Sequence, residues 1–311
     1  MARVPFNPKI GTIKTDAGNL AVDRAFIAHY NVPAADASAE SDTAVMALTP
    51  LTTAVQTITT GLTDPAAPRN IKVDASAAIT TKVTVHGTNF GGEAISEELT
   101  LTGTTAAAGA LAFASVTSVV LPIRTTTPAK QKATVAVTQG AQDAGSTVFT
   151  FVSAITGDAF DVTVAFLAAD DTTAEACTKL CAGLNANATF AAKWTATPST
   201  ANVLIESKTY EAQDATINLT VKTAGASAIT VGAITVDTVA GVAEDKVSVG
   251  LGKAFGIPYM LTADELVFVK LFNNAADAGT VTADADELEK NVITLSGTPD
   301  GLKPIDLYIL V

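Results

Sequence analysis

The chain has 311 residues, of which 48% are hydrophobic, 31 are acidic and 19 are basic, giving a net formal charge of −12. This length and hydrophobic content are typical of a folded chain with two or three domain cores and exclude a disordered tail. The excess of acidic residues excludes a nucleic-acid-binding protein, which needs clustered Lys and Arg to displace counterions from phosphates.

The start of the sequence predicts no targeting segment. Two prolines interrupt the first eight residues, and no apolar core of signal-peptide length follows them. No segment approaches ~18 uninterrupted apolar residues, the length that a membrane span needs. We therefore expect synthesis in the cytoplasm without a signal peptide and no membrane partner.

Residues 1–50 consist of short apolar pieces separated by prolines. Proline at this density discourages long helices and central strands, because it lacks a backbone donor and fixes its φ angle. The segment is predicted to be an extended N-terminal arm and a candidate assembly surface. The prolines are Pro5, Pro8, Pro33 and Pro50.

Residues 51–124 have the alternating pattern of short strands. Lys82–His86 and Ala94–Leu101 alternate across a glycine-containing loop, 87–92, which has hairpin length. Ser115–Leu121 predicts another strand. Several short strands with frequent turn signals favour an antiparallel β-sandwich or barrel. We expect the loop at 87–92 to be exposed and to serve as a second candidate assembly surface.

Residues 125–245 have a different pattern and predict an α+β domain with one main helix. Thr172 and Glu175 match a capping box, and the helix is expected to run to about Leu184. A strand is predicted near 190–197, and its Trp194 is expected to be a core anchor.

Residues 246–311 return to the β pattern and are predicted to complete the β-rich core domain begun by 51–124. Lys246–Gly250 and Glu265–Phe272 are predicted strands. The chain ends in an apolar run, Ile305–Val311, which we expect to be paired inside a sheet.

The rare chemistry-bearing side chains do not form a recognisable catalytic set. Cys177 and Cys181 lie four residues apart on the predicted helix and are interpreted as two small buried hydrophobes, too few for a metal site. His86 is predicted to be a surface residue of a strand, and His29 has no recognisable partner. The sequence therefore predicts no enzyme and no catalytic residue.

Two further segments imitate ligand-binding motifs. Gly250–Gly256 has one residue too many before its last glycine for a dinucleotide fingerprint and lacks the helix that would follow it. Asp284–Glu289 alternates carboxylates, but it lacks the glycine and glutamate spacing of a calcium loop, and a solvated acidic turn is the better interpretation. No cofactor or metal is predicted.

Several segments resemble the virion structural proteins of tailed bacteriophages and prophages. The resemblance covers most of the chain, but it is one of overall pattern, and none of its segments is a chemically diagnostic motif. They are Thr59–Ile71, Val83–Glu98, Ala112–Val119 with Leu121–Pro122, Val247–Pro258, Glu289–Leu295 and Asp306–Leu310.

In such proteins a segment like Val247–Pro258 follows soon after one like Ala112–Pro122. The resemblance therefore implies that 125–245 is a domain inserted into a loop of the parent β fold. The insert, with Asp171–Glu175 and Leu184–Asn187, is itself similar to accessory domains of phage head and tail proteins. Insertion at an exposed loop adds little closure entropy.

The resemblance implies a head decoration (cement) protein on the capsid exterior. Its partners would be the major capsid protein and further copies of itself, arranged as a homotrimer. One alternative is a tail-tube subunit, which would polymerise on its own. A carbohydrate-binding adhesive module with a weak host-surface contact is a second alternative, disfavoured by an aromatic content of 5%.

Overall fold

The computed structural model describes residues 27–236 and 239–310. These residues fold into β-strands with two α-helices, and the strand pairs are antiparallel, which confirms the predicted mainly β class. They divide into two compact units. The first contains the described residues of Met1–Ile123 and Lys246–Val311, and the second is Arg124–Asp245.

The elements follow in chain order. The first part of the first unit contains β1 (Ile27–Val32), β2 (Ser41–Pro50), β3 (Gln56–Ile58), β4 (Arg69–Ala75), β5 (Lys82–Thr88), β6 (Ala94–Thr100), β7 (Ala107–Phe113) and β8 (Ser115–Leu121). The second unit contains β9 (Lys132–Gln139), β10 (Gly145–Val152), β11 (Phe160–Phe166), α1 (Thr173–Ala186), α2 (Ala188–Lys193), β12 (Trp194–Ser199), β13 (Asn202–Ser207), β14 (Asn218–Thr223), β15 (Thr230–Val231) and β16 (Thr235–Val236). The first unit resumes with β17 (Lys246–Gly256), β18 (Val267–Phe272), β19 (Ala275–Ala276), β20 (Thr280–Thr282), β21 (Val292–Thr294) and β22 (Ile305–Leu310), and two 3₁₀ turns lie at Asp264–Leu266 and Leu288–Lys290.

The first unit contains three sheets. Their strand orders are β20-β21-β17-β4-β7 with β2 also paired to β17, β3-β8-β5-β6, and β1-β22-β18-β19. The alternating sequence pattern sets which side chains are buried: Val83 and Val85 on β5 are fully buried, while the alternate residues Thr84 and His86 are partly exposed. The alternation in the sequence therefore correctly identifies the side chains of β5 that face the core.

The predicted N-terminal arm needs a correction. Residues 1–26 lie outside the described residues, but β1 pairs with β22 and β2 pairs with β17, so Ile27–Val32 and Ser41–Pro50 are strands in the sheets of the first unit. The strands form because their apolar side chains, such as Val45 and Met46, are buried in the core. The expectation that the C-terminal segment is a paired strand is confirmed, since β22 lies between β1 and β18.

The second unit is built around its own core. The predicted capping box is present: Thr172 Oγ1 accepts from the Glu175 amide, and the Glu175 carboxylate accepts from the Thr172 amide. Trp194 is fully buried beside Phe151 and Phe190, as expected for a core anchor. The strand predicted at 190–197 is wrong in its first half. Asn187 caps the short helix α2, because its Oδ1 accepts from the Phe190 amide at 3.1 Å.

We predict that a fragment of residues 124–245 folds without the rest of the chain. The reason is that its core cluster of 22 buried residues is made entirely from this segment. Trp194 is the chain's single tryptophan, so its emission reports on this core. The fragment should emit as a buried indole and shift cooperatively in urea. A solvent-exposed emission without urea, or a gradual change, would contradict the prediction.

Candidate assembly surface

The two cysteines and His86 lie where the sequence predicted, and His29 has a partner that the sequence did not predict. Cys177 and Cys181 are buried and reduced on α1, and burial raises the pKa of both thiols. His86 lies on β5, partly exposed. Within residues 27–236 and 239–310, no group of three or more His, Cys, Asp or Glu side chains is placed to hold a metal ion.

His29 has a partner that the sequence did not reveal. Its Nε2 lies 2.7 Å from Asp306 Oδ1, its ring stacks on Tyr308, and Asn31 Nδ2 also donates to Asp306 at 2.9 Å. The partner is 277 residues away along the chain, and only the pairing of β1 with β22 brings them together. The contacts orient a ring on the exposed face of a sheet, and His86 lies in a different sheet.

The glycine-rich segment Gly250–Gly256 is part of strand β17 and is shaped by Asn70 on the neighbouring strand β4. Three residues of β17, 252–254, lie opposite Asn70 in a bulge. The Asn70 side chain replaces the missing ladder bonds: its Oδ1 accepts from the Ala254 amide at 2.9 Å. A Cβ at Gly252 would lie 2.3 Å from Asn70 Oδ1, so glycine serves packing here rather than phosphate binding.

Strand β7, on the other side of β4, also bulges. Its residues 109–111 lie between the pairs Asn70–Ala112 and Lys72–Ala108. Asn70 Nδ2 donates to the Gly109 carbonyl at 2.8 Å. One buried amide side chain therefore joins three adjacent strands at the point where both outer strands depart from regular pairing.

Arg69, the residue before Asn70, is fully buried. Its Nη1 donates to the Ser38 carbonyl at 2.9 Å and its Nη2 donates to the Gly252 carbonyl, while the guanidinium lies 4.5 Å from the centre of the Phe255 ring. Burial lowers the pKa of Arg69 to about 10, with a nearby Glu40 acting in the opposite direction. The guanidinium is still protonated at pH 7 and holds the chain before β2 against β17.

A cavity of about 430 Å³ lies over the bulges. Its charged side chains carry both signs, and most of the other lining residues are small or hydroxylic. The lining residues are Glu40, Asn70, Ala108, Gly109, Ala110, Gly252, Lys253, Ala254, Thr282, Asp284, Lys290, Val292 and Thr294.

Glu97 on β6 satisfies the backbone of the β7 bulge. Its carboxylate accepts from the Ala110 amide at 2.6 Å and from the Leu111 amide at 3.4 Å. Burial raises the pKa of Glu97 above its ordinary value of 4.5, and the two backbone hydrogen bonds act in the opposite direction.

The predicted exposed loop at 87–92 is shorter than expected. Strand β5 continues through Thr88, and Asn89 is buried, so the exposed part begins at Phe90. Asn89 Nδ2 donates to the carboxylates of Glu93 and Glu289, each at 3.0 Å. Phe90 is 45% exposed, and its ring lies nearly perpendicular to that of Tyr30, with 6.2 Å between the ring centres.

The acidic segment at 284–289 is a turn, as the sequence predicted. Asp284 Oδ1 accepts from the amides of Asp286 and Glu287, at 2.9 and 2.8 Å. The buried Asn291 side chain donates to the carbonyls of Asp284 and Glu287 and accepts from the Asp284 amide. These hydrogen bonds fix the backbone of the turn, and the carboxylates of Asp286 and Glu287 point away from the core as exposed groups.

The turn and the loop face each other across a groove of about 350 Å³, which we call the acidic groove. Sequence reasoning treated the two segments separately and did not single out Met260, which also lines the groove. The hydrogen bond from Asn89 to Glu289 is the contact that joins the segments. The lining residues are Gly91, Glu93, Met260, Asp286, Glu287, Leu288 and Glu289.

No family model, no curated protein and no solved structure matches this chain. In the described part of the chain, neither helix has the length and apolar character needed to cross a membrane.

We predict that Asn70→Ala lowers the free energy of unfolding by about 2–3 kcal/mol, because it leaves the Gly109 carbonyl and the Ala254 amide without their partner in a buried site. Asn70→Asp is the matched variant: it keeps the acceptor but loses the donor, and it should also be destabilised. Urea unfolding followed by circular dichroism measures both. A loss below about 0.5 kcal/mol, the range of ordinary surface substitutions, would contradict the bridging role.

A second prediction concerns the pH dependence of stability. Because the pKa of Glu97 is higher in the folded chain than in the unfolded chain, the folded chain binds more protons above about pH 4.5. This side chain therefore makes the free energy of unfolding fall as pH rises through that window. Glu97→Gln removes this titration. The free energy of unfolding of the variant minus that of the wild type should therefore rise as the pH is raised from 4 to 7. Parallel stability curves for the two proteins would contradict the prediction.

Proposed function

We propose that this chain is a structural protein of a tailed-bacteriophage virion, bound as a decoration protein to the outside of the major capsid shell. In this proposal the first unit is an antiparallel β-sandwich or barrel that makes the contact. The segment 125–245 is an accessory domain inserted into it. The chain acts by occupying a position in the particle and catalyses no reaction.

The observation that carries the proposal is the location of the segments that resemble phage virion proteins. All of them, from Thr59–Ile71 to Asp306–Leu310, fall in the first unit, although 125–245 interrupts them in the sequence. Strand β17, which follows the interruption, pairs directly with β4, which begins at the end of the first of these segments. This arrangement is what an insertion into a phage β-domain would produce.

The charge of the chain supports an exterior position. A net charge of −12 would be repelled beside packaged DNA, whereas it is tolerated on the outside of a capsid. The proposed partners are the major capsid protein and two further copies of this chain in a homotrimer. A decoration protein that binds only the expanded shell stabilises that state by mass action.

The proposal predicts that the purified chain binds heads from a phage in which its own gene has been deleted. Co-sedimentation should show the chain bound up to a fixed copy number per head. Because binding stabilises the expanded shell, the decorated heads should release their DNA at a higher temperature than undecorated heads. Dye fluorescence during heating measures the release.

Two outcomes would contradict the proposal. One is a chain that does not sediment with the heads at any concentration. The other is a purified chain that grows into tubes by itself in negative-stain micrographs, because a tail-tube subunit polymerises and a decoration protein waits for its capsid.

A further inference from the structure

We propose that Glu97 blocks the edge of strand β7 and prevents β7 from pairing with a second copy of this chain. The inference goes beyond the proposed function and does not depend on it. Within the described residues, β7 is the last strand of the sheet β20-β21-β17-β4-β7, and β6, which carries Glu97, is the last strand of the sheet β3-β8-β5-β6. An edge strand presents backbone groups to which a further strand can be added.

Glu97 occupies a position that the alternation of β6 assigns to the core. Its neighbours on that face, Ile95 and Leu99, are buried, and Glu97 is partly buried between them. Its two carboxylate oxygens accept from the Ala110 and Leu111 amides of β7, one each. The carboxylate therefore occupies two backbone donors at the edge of β7. An inward-pointing charge is one of the devices by which proteins prevent strand addition at a sheet edge.

Gly109, in the bulge of β7, leaves room for this contact. A Cβ at position 109 would collide with the Glu97 carboxylate, so a larger residue there would displace the carboxylate from the two amides. The bulge takes residues 109–111 out of regular pairing with β4, and a bulged edge is itself a poor template for a further strand. The bulge and the carboxylate therefore protect the same edge.

The composition of β7 explains why its edge needs protection. No charged residue occurs between Glu98 and Arg124, and Ala107–Phe113 contains only alanine, glycine, leucine and phenylalanine. Two identical strands of this composition place no like charges opposite each other. Uncharged apolar segments without proline pair readily between chains, and natural sequences flank them with charged residues. A second copy of β7 is therefore the partner that this edge would accept without Glu97.

The test measures the mass of the full-length chain by analytical ultracentrifugation at neutral pH, at concentrations over which the mass of the wild type is constant. Glu97→Ala removes the charge and both acceptors. Its mass should rise about two-fold with concentration, because antiparallel pairing of two identical edges closes at two copies. Glu97→Gln removes the charge and keeps the shape, so it should gain mass as well, but at higher concentrations than Glu97→Ala.

Two further variants localise the effect. Glu98→Ala makes the same change in net charge at the exposed neighbour of Glu97, whose carboxylate pairs with Lys82, and it should keep the wild-type mass. Adding Ala108→Lys to Glu97→Ala places a charge on an exposed residue of β7. Two paired copies would then repel each other, and the mass should return to that of the wild type.

Circular dichroism and the emission of Trp194 check that each variant is folded. If Glu97→Ala does not fold, Glu97→Gln decides alone. The inference is overturned if the folded Glu97 variants keep the wild-type mass, or if Glu98→Ala gains mass as they do. It is also overturned if Ala108→Lys leaves the added mass of Glu97→Ala unchanged, because the association would then not involve β7. None of these results bears on capsid binding, so the proposed function would stand.

Discussion

The first unit depends on two adjacent polar side chains buried in its main sheet. Regular pairing fails on both sides of β4, because β17 and β7 each carry a bulge. Asn70 bridges the two bulges, and Arg69 connects the Ser38 carbonyl to the Gly252 carbonyl. Buried polar groups stabilise a fold only when they are hydrogen-bonded, so these contacts specify one arrangement of β2, β4, β7 and β17. Asn70 and residues of both bulges line the cavity described above.

Hydrogen bonds from buried asparagine side chains also fix two segments near the surface. Asn89 and Asn291 are buried amides that fix the loop and the turn on either side of the acidic groove. An amide can donate and accept at once, so one side chain holds two backbone segments or two carboxylates. In our proposal this rigidity is the link from fold to function, because a protein that acts by surface fit needs contact groups held in position before its partner arrives.

Local patterns in the sequence predicted local structure well. The alternation around Val83 and Val85 identified β5, and Thr172 with Glu175 identified the start of α1. The sequence could not reveal contacts between distant segments, because period and propensity describe neighbours only. The pairing of β1 with β22, the bridge made by Asn70 and the bond from Asn89 to Glu289 all join residues far apart in the chain. The sequence therefore predicted the candidate assembly surfaces only as ranges, 1–50 and 87–92. Of these residues, only Gly91 lines the acidic groove.

The central claim is that the chain holds a place on the outside of a phage head. The most direct measurement is gold labelling of intact virions with antibodies raised against the chain, viewed in negative stain. The account predicts gold distributed over the faces of the head and absent from the tail. Labelling confined to the tail, or virions that contain none of the chain, would contradict it.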